Sequence, residues 1–599
     1  MWQATMARYG HRRVAVITIS VIIVLVIASR SIPRRGAPTI SLDNVQGHGE
    51  VNDNALRISD GDKNVENFEA KRSATREPYI DVPLPFCASD LSNTDRNRFV
   101  RQFPRFKPRD WKNDTDATSR LNSDFEIIEK KHQYRVCDRV QVLIRARNGR
   151  GEPKRFGGDY FRARLVTNDH KGHVYSSKSD GEVVDNGDGT YMATFTLKWP
   201  GDVVIRVYLV HPGEGTYVLR SQRDTHDSRY SYKGTYCSSD GRSTEERECN
   251  VYISAKTHHV CKFTDRRTQH QWYCLHPTRE SGLDCSNWCK HRSDSRGANA
   301  VMLTSMTEKE KSVFKTSADG ILHSKDYEIK NVNNASVGST QPLPPCKPNF
   351  HSNGTIVSGY YANDVWVSPY CNILRFSSSL GATRRCLRGK TVFFLGDSTV
   401  KKLFDYFMSR LGNLTITHGE LFMRADVGPL VAEDKWGEIS MVYFTHGYPL
   451  GDDVVYDIHD VKYLANIIHD LNVDRDSVIV ISIWRHFTPH KTSLYKERIR
   501  TILSEVEKLH QRSPLTKVIF NTPNTRDHEK LDTIVYASDY YARDLNEVLR
   551  EVLAGYPKVG LLDSWDMTNA HLHPHTIHPG AYHLENLSNH LLSYICPHG

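Results

Sequence analysis

A serine stands where a buried strand is predicted to give way to a helix. The apolar run Thr391–Leu395 is followed by Gly396-Asp397-Ser398, and apolar residues then recur at helical spacing from Val400 to Leu411. Backbone N–H groups at the start of a helix have no intrahelical acceptor, so they can stabilise an oxyanion formed when such a serine attacks a carbonyl. Serine is also a common helix N-cap, so this serine alone does not identify an enzyme.

A second segment carries histidines that could serve this serine. They follow the apolar run Val559–Asp563 and are His571, His573, His575 and His578. A serine nucleophile needs a neutral imidazole to take its proton and usually a carboxylate to orient that ring. The alternating first three also suit a zinc site, but Pro574 interrupts them and no acidic or cysteine ligand pairs with them, so we expect no metal.

Ser398 and the four histidines lie in a part of the sequence, from Cys346 onward, where predicted strands alternate with predicted helices. Short apolar runs predict strands buried on both faces at Thr391–Leu395, Val478–Ile483, Lys517–Asn521 and Val559–Asp563. Helical patterns between them predict a parallel sheet, whose ligands bind beyond the carboxyl ends of the strands. We therefore expect the first and last strands to end side by side, so that a histidine-bearing loop reaches the edge where Ser398 lies.

Residues 125–235, upstream of this pattern, predict a β-sandwich. Apolar residues alternate with polar ones from Val140 to Ala146, from Tyr191 to Trp199 and from Val203 to Leu209. Six cysteines follow within 53 residues, and because paired Cys-x2-Cys knuckles are lacking they predict a disulfide-stapled module over 236–299 rather than a zinc site. The Ser/Asn/Lys-rich residues 300–340 are interpreted as a linker, and 341–599 as the α/β domain.

The N-terminal residues predict a membrane anchor. Val14–Ser29 is a run of sixteen residues without a charge, which as a helix would span about 24 Å and suits a thin membrane of the early secretory pathway. We expect a cytoplasmic tail at 1–13, a transmembrane signal anchor at 14–29 and a stem at 30–124. The alternative is a cleaved signal peptide, which would give a secreted protein.

Composition excludes several classes of protein. The 599 residues are 39% hydrophobic and 25% charged, which supports large cores and excludes a mostly disordered chain. The net charge of +9 is mild for this length and no segment resembles a basic arm, so we expect no nucleic-acid partner. Twelve cysteines and five glycosylation sequons together indicate an oxidising lumen. The sequon asparagines are Asn113, Asn334, Asn353, Asn413 and Asn586.

Two stretches of the sequence resemble one protein family. The motif FFLGDSTVKKLFDYF, followed by LLDSWDMTNA, TIHPG and LSYIC, is similar to the PC-esterase domain, a branch of the SGNH (GDSL-like) hydrolase fold. The upstream segment from YRVCDRVQVLIRARNG to WPGDVVIRVYLVHPGEG resembles the neurexophilin-like domain. This order is the architecture of the neurexophilin-and-PC-esterase (NXPE) family. The resemblance implies an Ig-like β-sandwich followed by an SGNH-like serine acyl-transfer domain, whose relatives add or remove O-acetyl groups on carbohydrates.

The resemblance also implies roles for individual residues. Ser398 is the nucleophile, and His578, within TIHPG, is the general base. The family pattern resembles Asp-x-x-His, but the residue three positions before His578 is His575 here. Asp563 or Asp566 is then the candidate orienting acid, and a Ser–His dyad or a loss of activity are the alternatives.

Other residues near the expected sheet edge are predicted to hold the oxyanion or the substrate. They are Gly396, Asp397, Arg485, His486 and Gly447. The backbone N–H of Ser398 is the first oxyanion donor. Arg485 follows the second strand, where its guanidinium can bind a substrate carboxylate such as that of a sialic acid or remain a solvated loop charge.

The sequence therefore predicts a luminal, membrane-anchored carbohydrate O-acetyltransferase or O-acetylesterase of the Golgi, with a glycan substrate and no bound cofactor. Acetyl-CoA is a candidate acetyl donor. The alternative is an extracellular binding protein whose sandwich engages a cell-surface protein and whose esterase domain is inactive. A basic set in the sandwich is either a dock for acidic glycans or a partner, or an ordinary solvated face. Its members are Arg139, Arg145, Arg147, Lys154, Arg155, Arg162 and Arg164.

Overall fold

The fold was analysed in a computed structural model. It describes residues 111–167, 174–225, 230–294, 303–315, 320–322, 327–334, 343–347, 358–418, 428–451, 454–527, 531–571 and 576–598. Every described residue belongs to one compact unit, 82–599. The predicted tail, anchor and most of the stem lie outside the described residues. Within the described ranges, no helix is both long enough and apolar enough to cross a bilayer.

The first described region contains seven strands, whose alternating apolar residues fill one core. They are β1 (Asp124–Ile128), β2 (Arg139–Arg145), β3 (Tyr160–Thr167), β4 (Ser176–Lys178), β5 (Val184–Asp185), β6 (Thr190–Thr196) and β7 (Gly201–His211). An antiparallel sheet has the order β1-β2-β6-β5, and β7, β3 and β4 belong to a second sheet. Val142 and Phe195 of the first sheet and Val207 of the second lie in the same core. The strands predicted from alternation in this region are confirmed.

Residues assigned elsewhere by the sequence also join the second sheet. β13 (Gly320–Ile321) and β14 (Tyr327–Val332) pair antiparallel with β7. The prediction of a linker over 300–340 is wrong for these residues, because a few apolar side chains such as Ile329 suffice for an edge strand that a Ser/Asn/Lys-rich composition hides. β15 (Tyr360–Ala362) and β16 (Val365–Val367) extend the sheet through β4. Two helices accompany these strands, α1 (Gly213–Thr225) and α2 (Glu308–Lys315).

The cysteine-rich region is a sheet held by disulfide bonds, as predicted. Its strands are β8 (Tyr232–Cys237), β9 (Thr244–Asn250), β10 (Val260–Thr264), β11 (Gln271–Leu275) and β12 (Trp288–Ser293). Three disulfide bonds join Cys237 to Cys289, Cys249 to Cys274, and Cys261 to Cys285. A sixth strand, β21 (Val455–Asp457), comes from the α/β region and pairs with β12 at the edge of this sheet.

The α/β region supplies the remaining elements. Its strands are β17 (Lys390–Gly396), β18 (Leu414–His418), β19 (Leu430–Asp434), β20 (Ile439–Thr445), β22 (Ser477–Ser482), β23 (Lys517–Asn521) and β24 (Val559–Leu562). Its helices are α3 (Leu380–Leu387), α4 (Ser398–Leu411), α5 (Leu464–Asp470), α6 (Thr492–Arg512), α7 (Leu531–Ala537), α8 (Asp539–Leu553), α9 (Ser564–Ala570) and α10 (Ala581–Ile595). Short 3-10 turns lie at Asp114–Asp116, Arg279–Ser281, Cys285–Asn287, Phe376–Ser378 and Arg485–Phe487.

The sheet of this region has the order β18-β19-β20-β17-β22-β23-β24. The five strands from β20 to β24 are parallel, and β18 and β19 form an antiparallel edge. Separate hydrophobic cores cover its two faces, as predicted for strands buried on both sides. Because β22 and β23 lie between β17 and β24, the expectation that the first and last predicted strands end side by side is wrong. Two disulfide bonds, Cys346–Cys371 and Cys386–Cys596, also lie in this part of the chain.

Candidate active site

A close approach of two strands shapes the turn that carries Ser398. A Cβ atom built on Gly396 would lie 1.8 Å from the carbonyl oxygen of Ser482, so only glycine lets β17 meet β22 at this point. The Asp397 amide then donates to the same carbonyl at 3.0 Å. Ser398 is the first residue of α4, and it is half-buried between fully buried neighbours. Gly396 is therefore explained by the close packing of the two strands, rather than by the predicted contact with the oxyanion or the substrate.

Asp397 joins this turn to the loop after β22. Its side chain is fully buried. Oδ1 accepts from the amide and hydroxyl of Thr399 at 2.9 and 2.5 Å, and Oδ2 accepts from the amides of Trp484 and Arg485 at 3.0 and 2.9 Å. With both oxygens engaged in this way, the prediction of Asp397 as a substrate-binding group is wrong. It is a positioning residue.

The backbone at the start of α4 supplies one amide to the site. The amides of Val400 and Lys401 donate to the Asp397 carbonyl at 3.2 Å, and that of Thr399 donates to the Asp397 side chain. In the described part of the chain, the Ser398 amide donates to no acceptor. A helix N-terminal amide in this position can stabilise the oxyanion that forms on a substrate carbonyl attacked by Ser398 Oγ.

His578 lies within hydrogen-bonding distance of Ser398. Its Nε2 atom is 2.8 Å from Ser398 Oγ. The loop that carries it is held by Asn524, whose side-chain amide donates to the Thr576 carbonyl at 3.3 Å, and by the Thr576 hydroxyl, which donates to the His578 carbonyl at 2.8 Å. The segment thus brings together the two groups that the sequence predicted would meet, although β22 and β23 lie between β17 and β24 in the sheet.

The surroundings of His578 favour its neutral form. Partial burial lowers the pKa of His578, and the positive charges of Lys402, Arg485 and Arg526 lower it further, while Asp397 acts in the opposite direction. An imidazole that stays neutral at mildly acidic pH can accept a proton from a serine hydroxyl. His578 is therefore suited to act as a general base toward a serine hydroxyl, and three cations make its surroundings electropositive.

Neither candidate orienting acid reaches His578. Asp563 Oδ1 pairs with Arg550 at 2.6 Å, and this cation outweighs burial, so the pKa of Asp563 lies below its usual value. Asp566 accepts from the Ser358 amide at 3.0 Å and faces Lys178 at 3.5 Å. Among the described residues, no carboxylate pairs with the His578 ring, so the assignment of Asp563 or Asp566 as the orienting acid is wrong. His575 lies outside the described residues.

Two residues of the loop after β22, Arg485 and His486, were predicted to bind the oxyanion or the substrate, but their N–H groups have other acceptors. The Arg485 amide is held by Asp397, and its guanidinium stacks 4.2 Å from the centre of the Tyr536 ring. His446 Nδ1 donates to the Gly447 carbonyl at 2.6 Å, so its Nε2 accepts from His486 Nδ1 at 2.9 Å. Burial lowers the pKa of both histidines, which keeps them neutral. His486 Nε2 therefore lacks a proton, and it can accept from a substrate hydroxyl but cannot stabilise an oxyanion.

Gly447 is explained by packing. A Cβ atom there would lie 2.7 Å from the Tyr463 ring and 2.9 Å from its backbone. In the described residues, no hydrogen bond links Gly447 to Ser398.

Two cations near the site were missed by the sequence analysis, although each carries a signal. Lys402 lies one helical turn after Ser398 on α4, a spacing that places two residues on the same helix face. Arg526 follows β23, at the carboxyl edge where ligands bind in such sheets. Arg526 lies outside the motifs that identify Ser398 and His578, and Lys402 lies within the first of them beside another lysine.

Other predicted positions have separate surroundings. His571 is buried against Tyr361 and Tyr582, and His573 lies outside the described residues. The predicted basic set does not form one face: Arg162 is buried against Asp527 and Asp539, and Lys154 is buried against Glu214.

The sequons differ in their surroundings. Asn113 and Asn334 are exposed, Asn413 is half-buried, and Asn353 lies outside the described residues. Asn586 is 5% exposed, and its amide accepts from the Trp366 backbone and donates to two carbonyls. The folded domain thus leaves no room for a glycan on Asn586, and that prediction is wrong.

Comparison with known proteins gives two family matches. Residues 110–316 match the model described as neurexophilin, and residues 366–596 match the model described as NXPE family member 4-like, C-terminal domain. A curated relative, the E3 ubiquitin-protein ligase TRIM45 of Bos taurus, is 28% identical over 125 residues. That match covers 20% of this chain and 21% of the relative, so the chain spans about a fifth of the relative's length.

One solved structure is also similar in part. It is FdeC, an Escherichia coli adhesin, at 12% sequence identity over 30% of this chain and 60% of that chain. The TM-score is 0.13, which carries no argument about fold or function.

Proposed function

The chain belongs to the NXPE family, and from this premise we propose that it is a luminal serine acyl-transfer enzyme that adds or removes O-acetyl groups on carbohydrates. The single observation that carries the proposal is the 2.8 Å separation of Ser398 Oγ from His578 Nε2, beside the unused amide of Ser398. In this proposal the α/β region is SGNH-like and the upstream sandwich is Ig-like.

The reaction runs through an acetyl-serine. Ser398 Oγ attacks the carbonyl carbon of an acetyl ester or thioester while His578 Nε2 takes the hydroxyl proton. The Ser398 amide donates to the oxyanion of the tetrahedral intermediate. The intermediate collapses when the leaving alkoxide or thiolate departs with the proton from His578. A sugar hydroxyl or water then attacks the acetyl-serine, giving its proton to His578, and Ser398 regains a proton as it leaves.

We propose that the site works as a Ser–His dyad. Asp563 and Asp566 are engaged by Arg550 and Lys178, so they are not available to orient the ring. Partial burial, together with the positive charges of Lys402, Arg485 and Arg526, lowers the pKa of His578 and favours its neutral form. A dyad of this kind loses the orienting carboxylate but keeps the base and the oxyanion donor.

The substrate is proposed to be an anionic sugar such as a sialic acid. Arg485 is half-buried beside Asp397, and its guanidinium can pair with a carboxylate in a bidentate geometry. His486 Nε2 can accept from a neighbouring sugar hydroxyl. Acetyl-CoA is the proposed acetyl donor, as a substrate rather than a resident cofactor.

The proposed compartment is the Golgi lumen. Five disulfide bonds between described cysteines need an oxidising environment. The uncharged run Val14–Ser29 is the proposed type II anchor, and its cleavage as a signal peptide would give a secreted protein instead.

The proposal is tested with full-length chain produced in mammalian cells. A fluorophosphonate probe should label Ser398, and acetyl release from an O-acetylated sialic acid, or acetyl transfer to a sialoside, should be lost in Ser398→Ala. Equal activity of the two proteins would end the proposal.

The second candidate is a binding protein with an inactive α/β domain, which the lack of a carboxylate at His578 among the described residues favours. Failure of the probe to label Ser398, together with tight binding of a cell-surface protein, would support it.

A further inference from the structure

A tyrosine of the cysteine-rich region contacts the loop that follows β22. Tyr232 lies in β8, and its hydroxyl is 2.7 Å from His490 Nε2. Both side chains are buried, with exposed fractions of 0% and 5%. The 484–490 loop begins at Trp484 and Arg485, whose amides bind Asp397, and ends at His490. One end of the loop is thus fixed by the serine turn and the other by the cysteine-rich region.

A second tyrosine pair supports the side chain of Arg485. The Tyr536 hydroxyl donates to the Tyr230 hydroxyl at 2.9 Å, and the two rings stack with centres 5.2 Å apart. Both hydroxyls also lie within hydrogen-bonding distance of the Gly451 carbonyl. The opposite partner of Tyr536 is the Arg485 guanidinium, 4.2 Å from the ring centre. Arg485 therefore stacks on a ring whose position depends on Tyr230, which lies two residues before the start of β8.

Backbone pairing and a shared core fix the same regions together. β21 of the α/β region pairs with β12 of the cysteine-rich sheet. Trp272 of β11 stacks on Tyr448 with ring centres 4.8 Å apart, and both lie in a core that also contains Tyr536 and Tyr541. Burying aromatic rings of this size against one another stabilises the contact between the two regions.

From this arrangement we propose that Tyr232 and Tyr230 are positioning residues of the acyl-transfer site, and that the neurexophilin-like part of the chain is a structural component of that site rather than a separate recognition module. Tyr232 acts through His490, and Tyr230 acts through Tyr536. The catalytic consequence rests on the proposed function, whereas the structural consequence, an ordered 484–490 loop, does not.

The physical reason is the sensitivity of such sites to small displacements. The Trp484 and Arg485 amides that hold Asp397, and with it the serine turn, belong to a loop with a single 3-10 turn, and the position of this loop is set by its contacts with other elements. A shift of about 1 Å in groups that position the nucleophile is enough to lower the rate by up to 100-fold. Removing the Tyr232 hydroxyl takes away a buried partner of the His490 nitrogen and permits such a shift.

The chain offers a matched control for Tyr232. Tyr236 lies on the same strand, is equally buried, and donates its hydroxyl to the Leu275 carbonyl inside the cysteine-rich region at 3.2 Å. Tyr232→Phe and Tyr236→Phe therefore remove the same hydroxyl from the same strand, but only the first removes a contact with the 484–490 loop.

The first experiment measures the rate of fluorophosphonate labelling at Ser398 in full-length chain, together with thermal stability. We expect Tyr232→Phe to slow labelling about 3- to 10-fold and Tyr236→Phe to leave it within a factor of two at a comparable melting temperature. A double-mutant cycle with His490→Gln tests the route, because Tyr232→Phe should have little further effect once His490 is changed. Equal losses in the two tyrosine variants, or additive effects in the cycle, would overturn the proposal.

The second experiment does not depend on catalysis. Hydrogen exchange read by mass spectrometry should show lower protection of amides 484–490 in Tyr232→Phe but not in Tyr236→Phe. Unchanged protection in Tyr232→Phe would overturn the positioning role even if the enzyme is active. If the unmodified chain is never labelled at Ser398 and yet the exchange result holds, the acyl-transfer proposal and the catalytic role of the two tyrosines fail, while the structural role of Tyr232 stands.

Discussion

The α/β region contains two serine–histidine pairs with the same local architecture. Ser398 follows β17 and Ser564 follows β24, and each is the first residue of a helix whose N-cap is an aspartate. His578 Nε2 is 2.8 Å from the first hydroxyl, and His583 Nε2 is 3.2 Å from the second. The serine of both turns thus has an imidazole within reach.

The two pairs differ in access and in what the hydroxyl already does. Ser564 is 1% exposed, and its hydroxyl donates to Asn521 Oδ1 at 2.6 Å, so its proton is already committed to a buried amide. Burial lowers the pKa of His583 to about 3. Ser398 is half-buried, and no such acceptor competes with His578 among the described residues. A strand–Asp–Ser–helix turn therefore makes a candidate nucleophile only where its hydroxyl is accessible and uncommitted.

The largest effect should separate the two serines directly. Ser398→Ala should reduce fluorophosphonate labelling and acetyl transfer by at least about 1,000-fold, because the nucleophile itself is lost. Ser564→Ala should leave labelling within a factor of about three and instead lower stability by about 1–3 kcal/mol, since Asn521 loses a buried partner. Gel-based labelling and thermal unfolding check both. Persistent labelling of Ser398→Ala would show that Ser398 is not the nucleophile and that the two serines do not differ in the way described.

The two aspartates should separate in the same way, with smaller effects. Asp397→Asn removes an acceptor for the Trp484 and Arg485 amides, so labelling at Ser398 should fall about 10- to 100-fold. Asp563→Asn leaves the Arg550 guanidinium without its buried partner and should cost about 3 kcal/mol of stability.

Labelling of the folded fraction should be nearly unchanged in Asp563→Asn. The measurement is labelling rate against melting temperature for both proteins. A loss of labelling in Asp563→Asn as large as in Asp397→Asn would contradict the assignment.

Substitution of Arg485 should affect an anionic substrate more than a neutral one. Arg485→Gln should raise KM for an O-acetylated sialoside about tenfold and leave hydrolysis of the neutral ester p-nitrophenyl acetate little changed. Arg485→Lys keeps the charge but not the planar group that stacks on Tyr536, so it should recover only part of the affinity. Steady-state kinetics on both esters decide the point, and equal changes in KM for both would remove the charge argument.

The smallest effect concerns the pH dependence of labelling. The pKa of His578 is lowered, so the rate should fall as pH drops through a midpoint below the usual histidine value of about 6.5. Lys402→Gln removes a positive charge, which eases protonation of His578 and should move this midpoint up by a few tenths of a pH unit. Lys401 pairs with Asp405, so Lys401→Gln is the control and should not move it. A downward shift in Lys402→Gln would show that the sign is wrong.

The sequence predicted the elements of this region better than their spatial order. Buried strands at β17, β22, β23 and β24 were predicted because nearly continuous apolar runs are typical of parallel sheets. β20 was not singled out as a strand, although it is the other neighbour of β17. The strand order was missed as well, because it depends on which helices pack on which face, and no local pattern encodes that choice.

For the candidate site too, part of the arrangement could be predicted from the sequence and part could not. Ser398 and His578 were predicted to meet because both follow strands at one edge, and a motif resemblance singled out His578 among the four histidines. The roles of Asp397, Asp563 and Asp566 could not be predicted, because each depends on a partner from another element of the fold. The partners are Trp484, Arg550 and Lys178. A carboxylate near a nucleophile has the same sequence signature whether it orients a base, caps a helix or neutralises a buried cation.

The bond between Cys386 and Cys596 has a consequence for handling this protein. The two cysteines are separated by 210 positions in the sequence, and their bond closes this segment into a covalent ring. The ring contains every strand from β17 to β24. A single proteolytic cut anywhere inside that ring would leave both fragments attached, so they would migrate as one species until a reducing agent is added. For the same reason, a circularly permuted chain that joins these two positions and opens at a surface turn should retain the sheet.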